Sequence, residues 1–134
     1  MSRVSSVVAK YILVGRPEAP AMLLADFAGD DSALVRSRVA EHPNTPLSTL
    51  LVLLHDAEVS VRSALSLNPS LPKLILLQLI LDESVDLRYE LAENPCLPED
   101  LLRLLVDDEN PYVASRAALT LERIAECDCL ARAA

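Results

Sequence analysis

The sequence lacks tryptophan and has only one phenylalanine, three tyrosines and two glycines among 134 residues. An open β-sheet or a barrel needs more aromatic and β-branched residues and more glycine-containing turns. The three cysteines are an odd number, so they do not form a closed disulfide framework. These shortages predict an all-helical protein with reduced thiols, and we therefore expect a cytoplasmic location.

Long apolar runs and basic residues are also scarce. The longest apolar run, 74–81, is interrupted by Gln78 and is shorter than the roughly 18–20 residues of a membrane span. No basic-then-apolar signal segment begins the chain. A net charge of −8 opposes binding to the phosphate backbone of a nucleic acid. We therefore expect neither a membrane nor a nucleic acid as a partner.

Hydrophobic residues make up 51% of the chain, which excludes intrinsic disorder, and the nine prolines reveal how the chain is organised. Eight of them form four Pro-x-x-Pro pairs that recur every 26 residues. A basic residue stands seven positions before each pair, and in three of the four repeats an Asp stands six positions before that basic residue. This register predicts one repeat domain, 1–134, of about five units: 4–29, 30–55, 56–81, 82–107 and 108–133.

Each unit is predicted to form two helices. The second proline opens the first helix, at a position where its missing N–H costs nothing, and apolar residues recur four, seven and eight positions later. A shorter helix, α or 3-10, follows at 33–41, 59–67 and 85–93. The fifth unit has lost both prolines and is predicted to continue as one longer terminal helix. Because one unit cannot bury its apolar face alone, stacked units predict a right-handed α-solenoid.

The repeat consensus resembles the leucine-rich repeat variant family, a HEAT-like group. The resemblance is clearest in Asp82, Arg88 and the run Leu-Ala-Glu-Asn-Pro-Cys-Leu-Pro-Glu-Asp-Leu-Leu at 91–102, and it extends over about residues 4–125. It implies a superhelix of alternating α- and short 3-10-like or α-helices that acts as a scaffold. Some family members carry a cysteine-rich iron–sulfur segment before the repeats. Here no cysteine precedes Cys96, so that cofactor is not carried over.

The repeated acidic and basic residues admit two interpretations. Their Arg side chains could present hydrogen-bond donors to an anionic ligand, or they could form a structural ladder. In the ladder, each Arg pairs with the Asp six residues earlier, with the Asp of the next unit as a further partner, and the Asp caps the short helix. We favour the ladder, which consists of Asp30, Arg36, Asp56, Arg62, Asp82 and Arg88.

Two surfaces are candidates for contacts with other molecules. Outward positions of the second and third proline-initiated helices are apolar, and they predict a protein interface or a homodimer contact at Leu51, Val52, Leu74, Leu77 and Leu81. The alternative is that the curvature of the solenoid or the terminal helix covers them. Residues 82–109 hold ten acidic residues and two arginines. They form either a solvated face or a docking face for a basic partner at Glu90, Glu93, Glu99, Asp100 and Asp107.

Chemical motifs are weak in this sequence. Cys96, Cys127 and Cys129 could supply three metal thiolates, although Cys-x-Cys is a weaker zinc signal than Cys-x₂-Cys and no fourth ligand is evident. No glycine-rich phosphate loop, Gly-x-Ser-x-Gly or His-Glu-x-x-His motif is present. The sequence therefore predicts a non-enzymatic scaffold with no cofactor and a protein partner. A metal or iron–sulfur protein is the alternative, and an enzyme is less favoured.

Overall fold

The computed structural model describes the backbone of residues 3–133 and the side chains of residues 6–133. The chain is 69% helical and the described part contains no strand, which confirms the all-α class. A turn of 3-10 helix, Leu65–Leu67, extends the fifth of the α-helices found in this part of the chain. The α-helices are α1 Arg3–Val14, α2 Ala21–Phe27, α3 Ala33–Ala40, α4 Leu47–Leu54, α5 Val59–Ala64, α6 Lys73–Leu79, α7 Val85–Glu93, α8 Glu99–Val106 and α9 Pro111–Ala133.

Helices α2, α4 and α8 begin directly after the second proline of a pair. Pro20, Pro46 and Pro98 are N-cap residues with ψ between 135° and 153°, rather than first helical residues as the sequence predicts. The carbonyl of Pro46 accepts hydrogen bonds from the N–H groups of Thr49 and Leu50, both at 3.0 Å. An N-cap residue uses its carbonyl but not its N–H, so proline fits this position without loss.

The shorter helices lie close to their predicted ranges. α3 and α7 are α-helical throughout, whereas α5 ends in the 3-10 turn. The fifth unit forms the single helix α9, which confirms the predicted terminal helix. Pro111 is the first residue of α9, and the side chain of Asn110 accepts from the N–H groups of Tyr112 (3.0 Å) and Val113 (3.3 Å). This arrangement supplies acceptors to two of the orphan donors at a helix start.

The core consists largely of the apolar columns of the repeat, with shifts on α6 and α8. Columns on the shorter helices are completely or almost completely buried, and comprise Val35, Val61, Leu87 and Val113, then Val39, Leu65, Leu91 and Ala117. Phe27, Leu76 and Val106 are predicted to lie inside, but Phe27 and Leu76 are only partly buried and Val106 is 37% exposed. Ile75 and Leu101 are buried instead. The buried residues of α8 are Leu101, Leu102 and Leu105, which form its inward face.

The described chain divides into two compact units, Met1–Leu76 (unit 1) and Leu77–Ala134 (unit 2), with the boundary inside α6. Within unit 1, α3 packs between α1 and α5, while α2 lies against α3, and α4 lies against α3 and α5. The short helices of successive repeats are therefore neighbours in unit 1. Within unit 2, the long helix α9 packs against both α7 and α8.

Candidate interaction surfaces

The repeated arginines join consecutive repeats through the carboxylate of the following repeat. Arg36 donates from Nε to Asp56 Oδ2 at 2.8 Å and from Nη2 to Asp56 Oδ1 at 3.2 Å, which is a bidentate pair. Its Nη1 donates to the backbone carbonyl of Asp30 at 2.8 Å. The predicted pairing of Arg36 with the carboxylate of Asp30 is therefore wrong, because Arg36 donates to the backbone carbonyl of Asp30 instead.

Other repeats show the same geometry. Arg88 forms a bidentate pair with Asp108 (2.8 and 3.3 Å) and donates to the carbonyl of Asp82 at 2.7 Å. The Arg88 and Asp108 side chains are only 8% and 7% exposed. Arg62 is buried and donates to the carbonyl of Asp56 at 2.7 Å. These arginines are therefore bound within the fold, and their placement favours a structural role over ligand binding.

The repeated carboxylates also shape the loop before each short helix. Asp56 Oδ1 accepts the N–H of Glu58 at 2.9 Å, and Asp30 Oδ2 accepts the N–H of Ser32 at 3.0 Å. These are Asx turns, since the N-cap residues are Ser32 and Glu58 themselves, and the predicted capping by Asp is wrong. The hydrogen bond from Lys10 keeps the pKa of Asp30 below its ordinary value.

Asp56 experiences two opposing effects. Burial alone would raise its pKa, but hydrogen bonds from Arg36 and from the N–H of Glu58 outweigh that effect and lower the pKa. The pKa of Arg36 is raised by its hydrogen bond to Asp56. Both groups of this pair therefore remain charged over the physiological pH range.

A second set of buried polar side chains, before the first proline of a pair, was missed at the sequence level. His42 Nε2 lies 2.8 Å from the carbonyl of Arg16, while His42 Nδ1 accepts the N–H of Asn44 at 3.0 Å, which assigns the neutral tautomer with its proton on Nε2. Asn68 donates to the carbonyls of Ala40 (3.0 Å) and His42 (2.9 Å). The 26-residue spacing of His42 and Asn68 is the signal that could have revealed this column.

The predicted apolar surface is accessible at most of its positions. Val52, Leu74 and Leu81 are 66%, 68% and 72% exposed, and Leu51 is also exposed. Leu77 is half-buried because it lines a hollow within unit 2.

The predicted acidic residues lie on the surface of unit 2. Glu90, Glu93, Glu99, Asp100 and Asp107 are all exposed. Glu99 forms an exposed pair with Arg103 at 3.1 Å.

One hollow in unit 2 brings part of the apolar surface and part of the acidic surface together. It encloses about 530 Å³, and we call it the acidic-rimmed hollow. Leu77, Leu81 and Asp107 belong to it from the sequence prediction. The other side chains that line it are Ile80, Arg88, Leu104, Leu105, Asp108 and Glu109.

The cysteines remain separate thiols on the surface. Cys96, Cys127 and Cys129 are exposed and unbridged. Within the described part of the chain, no three His, Cys, Asp or Glu side chains are grouped so that they could hold a metal ion. Nor does any helix there have the length and hydrophobicity needed to cross a membrane.

Comparisons with known proteins returned no match among protein-family models, curated proteins or solved structures.

Proposed function

We propose that this protein is a non-enzymatic protein-interaction scaffold built from HEAT-like repeats of the leucine-rich repeat variant type, stacked as an α-solenoid. The 26-residue register and the Arg–Asp pairs that join consecutive repeats support this architecture. The acidic-rimmed hollow is the observation that carries the function, because it combines accessible leucines with the exposed carboxylates of Asp107 and Glu109.

The walls of the hollow are suited to an apolar side chain. Leu81, in the turn after α6, is 72% exposed, and Leu104, in α8, is 52% exposed. Leu105 and Ile80 are buried beneath them and form the floor. Apolar surface of this kind on a folded protein marks a contact site for another molecule.

The rim of the hollow selects for positive charge. Asp107 is exposed, and the Glu109 side chain is 92% exposed. Asp108 is already bound to Arg88, so its charge is compensated within the fold. Glu109 Oε1 lies 4.0 Å from Arg88 Nη2, a long ion pair to an arginine that is already bound to Asp108. The rim therefore presents two exposed carboxylates beside the leucines. The complementary partner is a polypeptide segment with apolar side chains flanked by lysine or arginine.

A binding assay with a synthetic amphipathic helix of leucine and lysine tests this proposal. We expect fluorescence anisotropy to show binding that weakens as salt rises, and a leucine–glutamate helix to bind at least about tenfold more weakly. Leu104→Asp and Asp107→Lys should each reduce affinity by about tenfold or more. Leu67→Asp and Asp31→Lys are matched controls, since both residues are exposed in unit 1 and should leave affinity unchanged.

Three results would overturn the proposal. The first is equal binding of the two peptides, and the second is an equal loss of affinity in the control variants. The third is self-association of the wild-type protein in light scattering that Leu104→Asp abolishes, which would assign the hollow to a homodimer.

A further inference from the structure

A second kind of hollow occurs twice, at equivalent positions of the repeat. In unit 1 it is lined by Gly15, Pro17, Arg38, Glu41, His42 and Pro43. In unit 2, Glu93, Pro95, Arg116 and Thr120 occupy the positions of Gly15, Pro17, Arg38 and His42, three repeats or 78 residues later. We call these the first and second arginine hollows.

The arginine of each hollow has an unsatisfied donor. Among the described side chains, the buried nitrogens that have no acceptor are the Nε atoms of Arg38 and Arg116. A buried N–H without a partner is costly. Because the same Nε atom lacks an acceptor at two equivalent positions, this feature belongs to the repeated structure rather than to one site.

The first arginine hollow is closed by residues of the protein itself. Arg38 Nη1 donates to Glu41 Oε1 at 2.8 Å, and its guanidinium lies 4.9 Å from the centre of the Tyr11 ring. The guanidinium also lies directly over Gly15, where an added Cβ would be 2.5 Å from Nε. Glycine at position 15 and glutamate at position 41 together hold Arg38 in place.

The second arginine hollow has lost both of these residues. Glu93 stands at the position of Gly15, so the second hollow lacks the glycine over which Arg38 lies in unit 1. Leu119 stands where Glu41 does and offers no carboxylate. Within the described chain, the guanidinium of Arg116 makes no hydrogen bond or ion pair, and it lines a hollow of about 270 Å³.

The remaining lining defines the chemistry of a ligand. Pro95 and Ile124 supply apolar surface, Arg123 adds a second guanidinium, and Glu93 and Asp128 add two carboxylates. The charges in the hollow are therefore balanced rather than purely basic. Its volume lies just below the roughly 300–1,000 Å³ of sites for drug-sized ligands, which indicates a smaller molecule.

We propose that the second arginine hollow binds a small zwitterion of the α-amino-acid class with an apolar side chain. Arg116 receives the ligand carboxylate in place of the internal carboxylate that Glu41 provides to Arg38. Glu93 and Asp128 face the ammonium group, and Pro95 and Ile124 contact the apolar side chain. A carboxylate can accept from a guanidinium in bidentate geometry, which makes it the natural acceptor for the unpaired arginine.

Titration of the ¹⁵N-labelled full chain with L-leucine, followed by NMR, tests the proposal. We expect saturable shift changes in residues 93–95 and 116–128. Arg116→Met, which keeps a long unbranched side chain, should weaken binding about tenfold or more. Arg103→Met is the matched control, because Arg103 is exposed and lies outside the hollow, and it should bind leucine like the wild type. Thermal unfolding confirms that each variant is folded.

Leucinamide and N-acetylleucine separate the contributions of the two charged groups. Leucinamide lacks the carboxylate and N-acetylleucine lacks the ammonium, so we expect each to bind at least about tenfold more weakly than leucine. The absence of saturable leucine binding, an unchanged affinity in folded Arg116→Met, or equally tight binding of leucinamide would overturn the proposal. Equal binding of N-acetylleucine would overturn the role of Glu93 and Asp128.

Discussion

The two compact units share one repeat register but satisfy their polar groups differently. In unit 1, Arg38 is bound by Glu41, and Asn68 spans the carbonyls of two earlier residues. In unit 2, Arg116 has lost its carboxylate, and a hydroxyl, Thr120, bonds the carbonyl of Ala92 28 residues earlier. Both units keep the Arg–Asp bonds between repeats. The Arg–Asp bonds that join repeats are therefore present in both units. The residue beside the second arginine differs, since Leu119 replaces the carboxylate of Glu41.

The largest expected effect concerns the feature that both units share. Arg88→Ala leaves the Asp108 carboxylate, 7% exposed, and the Asp82 carbonyl without their donor. We expect the free energy of unfolding to fall by about 3–5 kcal/mol in urea titrations, because an unpaired buried charge is costly. Arg103→Ala breaks a pair with side chains 67% and 49% exposed and should change stability by less than about 0.5 kcal/mol. Similar losses in the two variants would show that the ladder does not stabilise the repeats.

The next effect compares the buried polar column of the two units. Asn68→Ala removes the donor from two buried carbonyls and the acceptor from the N–H of Ser70, and should cost about 2–3 kcal/mol. Thr120→Val keeps the side-chain shape and removes one donor, so a loss of about 1 kcal/mol is expected. Chemical denaturation of both variants measures the difference. A larger loss for Thr120→Val would reverse our ranking of the two units.

Acid should weaken unit 1 through its two carboxylates of lowered pKa. A group whose pKa is lower in the folded state stabilises the fold above its unfolded pKa, and this contribution is lost as the pH falls through the folded value. Asp30 and Asp56 should therefore stabilise the protein fully at neutral pH and lose that effect below about pH 4. Asp30→Asn and Asp56→Asn should flatten the dependence of unfolding free energy on pH in this range. The exposed Asp31→Asn is the control, and an equal flattening there would contradict the assignment.

The smallest effect on stability comes from exchanging the residues that distinguish the two arginine hollows. Leu119→Glu places a carboxylate beside Arg116, and Glu41→Leu removes it from Arg38. Because both positions are accessible, each change should alter the free energy of unfolding by less than about 0.5–1 kcal/mol. Leu119→Glu should nevertheless abolish leucine binding by occupying Arg116 internally, as measured by the same NMR titration. Unchanged leucine binding in this variant would contradict the comparison between the hollows.

Much of the helical architecture is readable from local patterns. The prolines, the apolar columns and the lost prolines of the fifth unit predict α2 to α9 within a few residues, because helix starts, stops and inward faces depend on nearby residues. The surface prediction located Leu81 and Asp107 separately but did not join them. Leu104 and Glu109 complete that hollow, and their contribution depends on how α8 and the following loop lie beside the end of α6.

The sequence by itself determined the helical class, the 26-residue period and the residues that repeat with it, since hydrophobic periodicity and proline geometry act over a few residues. The repeat pattern offered Arg36 two Asp partners, and the tertiary structure decided between them: Arg36 bonds the carboxylate of Asp56 and only the backbone carbonyl of Asp30. It also decided that Arg38 forms an ion pair with Glu41, whereas Arg116 has Leu119 at the equivalent position and no such pair. Hydrogen-bond partners depend on distances and directions between side chains from separate repeats, and these are set only when the helices pack together.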